Sequence, residues 1–129
     1  MAILVGLDLT PVSRVSEILE RFPERFLARV FVDGEIRRAR RHPRAFAEHV
    51  AGRFAAKEAA MKALGTGWRG IAFREIAVLR DARGKPTLEL RGRAAARAQA
   101  LGVVETEVSI THTADLAAAV VVLVTESSR

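Results

Sequence analysis

Residues 53–67 read RFAAKEAAMKALGTG, and this stretch decides the fold. Its alanines and straight-chain residues favour a helix, and Gly65 suits the left-handed position that ends one. Together with the preceding residues it predicts a long helix over 45–64. At about 100° per residue, the apolar residues that form one stripe of this helix are Phe46, Val50, Phe54 and Met61.

Glu58 falls inside that apolar stripe, and Lys57 and Lys62 lie near its borders. A carboxylate at a core-facing position is costly unless a positive group meets it. Lys62 is one candidate, since its i,i+4 spacing from Glu58 is the favourable order for an ion pair. A bound cation is the other candidate, and the sequence leaves both open.

Asp8 is a second acid that needs an explanation. Residues 2–9 predict a strand, and Thr10 with Pro11 predicts the cap and first turn of the next helix, so Asp8 is not needed as a cap. Mg²⁺ is usually held by one or two carboxylates together with waters and substrate phosphates. In a chain this basic, Asp8 and Glu58 therefore indicate a metal-bridged phosphate substrate.

The composition indicates a single domain over residues 1–129. The chain has 129 residues, of which 50% are hydrophobic, which is enough for one core. The sequence contains no run of 18 uncharged apolar residues, so we expect no membrane span. The N-terminal residues lack the pattern of a secretory signal. Without cysteine the chain has no disulfide and no thiolate metal site. We therefore expect a cytoplasmic protein with no membrane partner.

The formal net charge of +6 predicts an acidic partner, which can be nucleic acid, a nucleotide or an acidic protein. The densest basic run is Arg37–Arg44, which is either a solvated surface or a docking patch. Aromatic residues make up only 5% of the chain, which is poor material for stacking bases. A non-enzymatic nucleic-acid-binding module is therefore kept only as the alternative hypothesis. We expect the protein to have no nucleic-acid partner.

The rest of the chain mixes helices and strands, which predicts the α+β class. The residues expected on the apolar face of a first helix, which Pro23 ends, are Val12, Val15, Ile18, Leu19 and Phe22. Residues 26–31 form an apolar segment of unassigned type, and Asp33 is expected to cap a short basic helix that stops at Pro43. The other expected elements are strands over 71–79, 87–90, 105–111 and 116–124 and a helix over 93–101. The last strand is almost continuously apolar, so we expect cover on both faces, by core or by a neighbouring subunit.

Two further motifs bear on the chemistry. Gly65–Gly70 matches G-x-G-x-x-G, but a dinucleotide fingerprint opens a helix and this one closes a helix, so we exclude that function. Its glycines still let backbone N–H groups approach a phosphate. His112, at a strand end between two threonines, has a structural or a binding role, whereas His42 and His49 are expected at the surface. The sequence contains no H-x-x-x-H spacing, so a zinc hydrolase is not expected.

Three blocks in order carry a family resemblance: GLDLTPVSRV at 6–15, the stretch 53–67, and SITHT at 109–113. Together they resemble the holo-[acyl-carrier-protein] synthase family, the small trimeric class of 4′-phosphopantetheinyl transferases. The resemblance covers nearly the whole chain. It implies a small mixed or antiparallel sheet packed on a long helix, assembled as a homotrimer. It also implies Mg²⁺-dependent transfer of 4′-phosphopantetheine from coenzyme A to a serine of apo acyl carrier protein, releasing adenosine 3′,5′-bisphosphate.

The resemblance implies roles for individual residues. Asp8 and Glu58 would hold Mg²⁺ on the pyrophosphate of coenzyme A, and Lys62 would neutralise charge on the transferring phosphate. Glu58 is also our candidate for accepting the serine proton. The residues implied to hold coenzyme A or line its site are Arg53, Lys62, Gly65, Thr66, Gly67, Gly84, Lys85, Pro86 and His112. Because the family's site lies between subunits, some of these groups would come from a neighbour.

The resemblance also accounts for the positive charge, because acyl carrier proteins are small and strongly acidic. Arg14 and Arg21, with Ile18 between them, resemble the family's docking face for the carrier. Exposed complementary charge of this kind mainly speeds encounter and is screened by salt. The chain departs from the wider superfamily at Phe54, where a tryptophan is often found. An inactive trimeric scaffold of the same fold is a further alternative.

Overall fold

The structure is a computed structural model that describes residues 1–36, 42–65 and 70–126. Its elements in chain order are β1 (Ala2–Pro11), α1 (Val12–Arg21), α2 (Pro23–Val30), α3 (Pro43–Leu64), a 3₁₀ turn (Phe73–Glu75), β2 (Ile76–Arg80), β3 (Pro86–Leu90), α4 (Gly92–Leu101), β4 (Val103–His112) and β5 (Leu116–Thr125). Helices and strands are mixed along the chain, which confirms the α+β class.

The described strands form two antiparallel sheets. The larger has the order β1–β5–β4, so the last strand of the chain lies in the middle, and β2 and β3 form a separate hairpin. Helix α3 packs across the larger sheet, mainly on β1 and β5. The sheet therefore has one face covered by α3 and one face that no described element covers.

Helix α3 is buried around most of its circumference rather than along one stripe. The predicted stripe residues Phe46, Val50 and Met61 are buried, but alanines on the other sides of the helix are buried as well. Lys57, expected near the border of the stripe, is fully buried, whereas Glu58 is half-buried. The charge that enters the core is therefore the lysine, and the prediction that assigned this position to the glutamate is wrong.

The buried Lys57 is neutralised by Glu35, which follows α2 in the chain. Lys57 Nζ lies 2.9 Å from Glu35 Oε2, and both side chains are fully buried. Further hydrogen bonds of this pair join Lys57 Nζ to Phe73 O (2.9 Å) and Ile76 O (2.6 Å), and Glu35 to Val32 N (2.8 Å) and Val78 N (2.8 Å). Burial lowers the pKa of Lys57 to about 8 although the Glu35 carboxylate raises it. The pair ties α3 to the segment after α2 and to the start of β2.

Gly6 sets the distance between α3 and β1. A Cβ at position 6 would overlap the carbonyl oxygen of Ala59 and lie 2.8 Å from Ala63 N. Only glycine allows backbone to approach backbone this closely. Gly6, Asp8 and Thr10 lie on the same face of β1, the face that α3 covers. The close approach at Gly6 therefore also brings Asp8 against the helix.

Several predicted boundaries differ from the structure. Thr10 does not cap α1, because Pro11 occupies the cap position without a side-chain hydrogen bond. Pro23 begins α2 as its first residue, which also types the unassigned segment 26–31. The predicted strand over 71–79 is replaced by the 3₁₀ turn and the shorter β2. The basic helix expected before Pro43 falls largely on 37–41, outside the described residues.

The uncovered face of the larger sheet is apolar. The large hydrophobic residues of β1 on this face are Ile3, Val5, Leu7 and Leu9, with exposed fractions of 61%, 57%, 58% and 58%. Their partners on β5 are Val124, Val122, Val120 and Ala118. A continuous apolar face of this kind on a single chain is typical of an interaction surface.

Among the described residues, no helix combines the length and the low polarity needed to cross a membrane.

We predict that Gly6→Ala destabilises the fold by about 3 kcal/mol or more, because the added methyl group overlaps backbone that no rotamer change can move. Chemical denaturation gives the free energy of unfolding. Adding Ala59→Gly does not restore stability, since the clash is with the backbone of residue 59. Glu89→Gln, at an exposed position of β3, is the control and changes stability by less than about 0.5 kcal/mol. A Gly6→Ala variant as stable as the control contradicts the close approach.

Candidate active site

Asp8, Glu58 and Lys62 come together where β1 passes α3. Lys62 Nζ donates to Asp8 Oδ1 at 3.1 Å and to Leu7 O at 2.9 Å. The other carboxylate oxygen, Asp8 Oδ2, accepts from Thr10 Oγ1 at 2.9 Å. Lys62 therefore pairs across the strand with Asp8, where the sequence had suggested pairing with Glu58 along the helix.

The two carboxylates of this cluster oppose one another. Burial, and then the negative charge of Asp8 and a hydrogen bond to it, raise the pKa of Glu58 to about 7, while the cations Lys62 and Arg14 act in the opposite direction. Two carboxylates this close favour sharing a proton or binding a cation. In the metal-free protein Glu58 is therefore partly protonated at neutral pH.

The donor set of the cluster suits a hard divalent cation. Asp8 and Glu58 offer carboxylate oxygens, which Mg²⁺ prefers, and their mutual repulsion is relieved when a cation lies between them. No group of three or more histidine, cysteine, aspartate or glutamate residues able to hold a metal occurs in the described ranges. Waters and substrate oxygens would have to complete the coordination, as is usual for Mg²⁺.

A second group of predicted residues lines a basic cavity of about 170 Å³. Its lining residues are His49, Gly52, Arg53, Arg80, Gly84, Pro86, Ile110 and His112. Arg53 is buried, and its Nε donates to the backbone carbonyl of Glu35 at 3.1 Å. The structure thus brings together four of the residues predicted to hold coenzyme A, namely Arg53, Gly84, Pro86 and His112.

The β2–β3 turn forms one wall of this cavity. Asp81 Oδ1 accepts from the backbone N–H groups of Arg83 and Lys85, both at 2.9 Å, and Gly84 has a φ of +88° that favours glycine. The Lys85 side chain is not part of the described lining, because it reaches Glu107 at 2.8 Å. In the single chain the Lys85 side chain thus contacts Glu107, and its role at the coenzyme site stays a prediction.

The glycine loop after α3 is described only at its start. Gly65 ends the helix in the left-handed conformation with a φ of 77°, as predicted. Arg97 Nε of α4 donates to the Leu64 carbonyl at 2.9 Å and so satisfies the end of the helix. Thr66 and Gly67, both predicted to line the coenzyme site, lie outside the described residues.

Asp8, Glu58 and Lys62 form what we call the acid cluster. This cluster and the basic cavity lie on opposite sides of α3. Asp8 is on β1, whereas Ile110 and His112 are on β4, and β5 separates these two strands. With neighbouring strands about 4.8 Å apart, β1 and β4 are about 10 Å apart. A ligand that touches both groups within one chain would have to pass α3.

The residues of the resembled docking face are accessible. Arg14 and Arg21 are exposed on α1, and Ile18 is half-buried between them. Arg14 is close enough to the cluster for its charge to lower the pKa of Glu58. The docking face and the acid cluster are therefore neighbours.

Three residues near the cavity were missed or misplaced by the sequence. His49, expected at the surface, lines the cavity, and its position four residues before Arg53 on the same helix could have revealed this. Arg80 pairs with Pro86 across the hairpin, so the predicted turn could have placed it there as well. Glu48 contacts His112, and no spacing in the sequence predicted that contact.

Comparisons with known proteins agree with this geometry. Residues 4–121 match the model of the 4′-phosphopantetheinyl transferase superfamily. The holo-[acyl-carrier-protein] synthase of Solidesulfovibrio magneticus is 50% identical over 120 residues, which are 92% of this chain and 95% of that protein. The same enzyme of Solibacter usitatus is 46% identical over 124 residues, covering 95% and 98%.

Solved structures extend the likeness to the fold. The ACPS–CoA complex of Chronobacterium ammoniagenes has a TM-score of 0.81 at 36% identity and covers 98% of this chain and 100% of that one. The Helicobacter pylori holo-[acyl-carrier-protein] synthase in complex with coenzyme A has a TM-score of 0.80 at 28% identity, covering 94% and 100%. The chain therefore belongs to the 4′-phosphopantetheinyl transferase superfamily, and within it to the holo-[acyl-carrier-protein] synthases, which are transferases.

Proposed function

We propose that this protein transfers 4′-phosphopantetheine from coenzyme A to a serine of apo acyl carrier protein, in an Mg²⁺-dependent reaction that releases adenosine 3′,5′-bisphosphate. The transfer itself follows from the family and from relatives that carry the name of this activity at 40–50% identity. The observation that carries the chemistry is the meeting of Asp8, Glu58 and Lys62 beside an arginine of α1.

In this proposal Asp8 and Glu58 hold the Mg²⁺ ion. The ion supplies charge neutralisation of the pyrophosphate oxygens of coenzyme A, as divalent ions do in other phosphoryl transfers. Lys62 has a side chain that is 55% exposed, so it can leave Asp8 and reach a phosphate oxygen. The lysine therefore has two uses, neutralising Asp8 in the free protein and the transferring phosphate in the complex.

The bond changes are simple. The serine hydroxyl oxygen bonds to the phosphorus that carries pantetheine, and the bond from that phosphorus to the bridging oxygen breaks. The bridging oxygen leaves on adenosine 3′,5′-bisphosphate, and the serine loses its proton. Glu58 is our candidate acceptor, directly or through a water, because it lies beside the docking face; its pKa of about 7 is that of the metal-free protein, and bound Mg²⁺ would lower it.

The basic cavity is proposed to hold the nucleotide end of coenzyme A. Arg53 and His112 offer donors to phosphate oxygens, and Gly84 and Pro86 shape the wall. Arg80 adds to the positive charge of the lining, and His49 also lines the cavity. Residues that belong to the site by resemblance alone are Gly65, Thr66, Gly67 and Lys85.

A homotrimer is proposed to join the acid cluster of one subunit to the basic cavity of the next. The two groups lie on opposite sides of α3 in a single chain, which favours a coenzyme A molecule bound between two subunits over one that passes around the helix. The apolar outer face of the sheet, with Leu7 and Leu9 on the strand that carries Asp8, is the surface we assign to the subunit contact. Burying this face on assembly would also cover the second face of β5.

The proposed carrier partner is an acidic protein that docks on Arg14, Ile18 and Arg21. A net charge of +6 supports this complementarity. Since the docking face neighbours Glu58, a serine presented by a protein bound there would arrive beside the acid cluster. We place the reaction in the cytoplasm.

We predict that incubation with coenzyme A, Mg²⁺ and apo acyl carrier protein adds the mass of one phosphopantetheine group to the carrier, as measured by mass spectrometry. Asp8→Ala, Glu58→Ala and Lys62→Ala each reduce kcat/KM by about 100-fold or more, because the first two remove a proposed Mg²⁺ ligand and the third removes the cation proposed to neutralise the transferring phosphate.

Glu89→Gln is the matched control, since it removes an exposed carboxylate on β3 and leaves kcat/KM within about twofold. The absence of any mass gain, under conditions where a known transferase modifies the same carrier, contradicts the proposal. Tight, steeply salt-dependent binding to random duplex DNA instead would favour the nucleic-acid alternative.

We predict that Mg²⁺ displaces a proton from Glu58. At pH 6 the carboxyl, with a pKa of about 7, is mostly protonated in the metal-free protein, so binding releases up to about one proton, and at pH 8.5 almost none. Calorimetry in two buffers of different ionisation enthalpy measures the number released. Proton release that is unchanged in Glu58→Gln would show that another group is responsible.

The same pKa has a consequence for stability. Because the folded pKa of Glu58 is raised above its ordinary value of 4.5, its contribution to metal-free stability is fully present below pH 4.5 and is lost as pH rises through about 7. Saturating Mg²⁺ reverses this loss at high pH. Denaturation curves at several pH values measure both effects.

We predict that subunits complement one another. Glu58→Ala and Arg53→Ala proteins are each nearly inactive, but trimers refolded from an equal mixture regain about a quarter of wild-type activity, since a site needs one intact group from each of two subunits. Sedimentation of the same samples checks the trimer. No recovery in mixed trimers, or full activity of a wild-type monomer, would refute the shared site.

A further inference from the structure

We propose that Glu48 is a positioning residue for coenzyme A: its carboxylate holds the Nδ1–H of His112 and so presents Nε2–H to a phosphate of the ligand. The inference rests on the proposed function, because it takes the basic cavity as the place where coenzyme A phosphates bind. Glu48 is absent from the described lining of the cavity, so it acts through His112.

The contact that carries the inference joins α3 to the end of β4. Glu48 Oε1 lies 3.2 Å from His112 Nδ1, and the side chains are 19% and 42% exposed. The carboxylate is thus largely withdrawn from water, where an unpartnered charge is costly, while the ring keeps an accessible side. A contact between two fully exposed groups would contribute little, but Glu48 is anchored in a packed helix and is largely withdrawn from water.

The packing explains why these two residues meet. Gly52 lies one helical turn after Glu48, and a Cβ there would come within 2.9 Å of Ile110 Cγ2. Ile110 and His112 share a strand face about 7 Å apart, and one turn of α3 covers about 6 Å. The close approach of Gly52 to Ile110 therefore sets Glu48 opposite His112.

The charges around the cavity make a carboxylate at this place unexpected. The described lining carries Arg53, Arg80 and two histidines, and it has no acid. A negative group behind such a lining would weaken the binding of an anionic ligand unless it also orients the residues that bind that ligand. With the Glu48 carboxylate at Nδ1 and a phosphate at Nε2, each ring nitrogen of His112 would face an acceptor, so both nitrogens would act as donors in the complex.

The test compares Glu48→Ala with Glu48→Gln in the full enzyme. The glutamine amide oxygen still accepts the Nδ1 proton but carries no charge. We expect KM for coenzyme A to rise roughly three- to tenfold in Glu48→Ala and by less in Glu48→Gln, with kcat within about twofold of wild type. The control Glu89→Gln removes the negative charge from the exposed 2.7 Å pair with Arg91 and leaves both constants unchanged.

A double-mutant cycle shows whether Glu48 acts through His112. His112→Ala alone raises KM for coenzyme A, and adding Glu48→Ala raises it no further. The ¹⁵N shifts of the His112 ring, measured with coenzyme A bound, show protons on both nitrogens in the wild type and fewer in Glu48→Ala. An equal effect of Glu48→Ala with and without His112, or unchanged ring shifts, overturns the inference.

The two proposals fail in different ways. If the wild-type protein binds no coenzyme A by calorimetry, the proposed function fails and takes this inference with it. If the wild type binds coenzyme A and Glu48→Ala binds it equally well, the inference alone is wrong. If Glu48→Ala lowers the melting temperature and kcat without changing KM, Glu48 is structural, and where that variant does not fold the glutamine variant decides by the same measurements.

Discussion

The rest of the structure depends on the close approach of α3 to β1 at Gly6. Any side chain at position 6 would overlap the backbone of Ala59, so the helix and the strand meet at a distance that only glycine permits. The alanines of α3 extend that contact along the sheet. Because Asp8 follows Gly6 on the same face, the packing constraint also places one carboxylate beside Glu58 and Lys62. The core contact and the candidate metal site are consequences of one geometric fact.

A buried ion pair performs the corresponding task on another side of the same helix. Lys57 and Glu35 are both withdrawn from water, and their hydrogen bonds bind the segment after α2 to α3 and β2. Leaving either charge without its partner would be strongly destabilising. The backbone carbonyl of the same Glu35 holds Arg53, so the pair that closes the core also fixes a residue of the basic cavity. One helix thereby carries Glu58 on one side and Arg53 on the other.

The sequence predicted the helices and strands better than it predicted which residues contact one another. The long helix, its glycine end and the last two strands follow from local periodicity and are all present, because a 22-residue helix or a ten-residue strand carries many repeats of its own pattern. Thr10 was expected to cap a helix but instead donates to Asp8, since a strand continuing to Pro11 turns its hydroxyl inward. His49 was expected in solvent and lines the cavity, because periodicity shows which residues share a face and not what lies opposite.

The sequence by itself determined the class of fold, the family and the chemical types present at the site. These follow from local patterns and from motif spacing, which need no knowledge of distant contacts. Only the tertiary structure decided which charge is buried, since Glu35 meets Lys57 across 22 residues of sequence. It also decided that Lys62 pairs with Asp8 and that Glu48 pairs with His112, and it separated the acids from the basic cavity by the width of α3. Such pairings join residues of different elements, and their energies depend on burial and distance, which no single segment encodes.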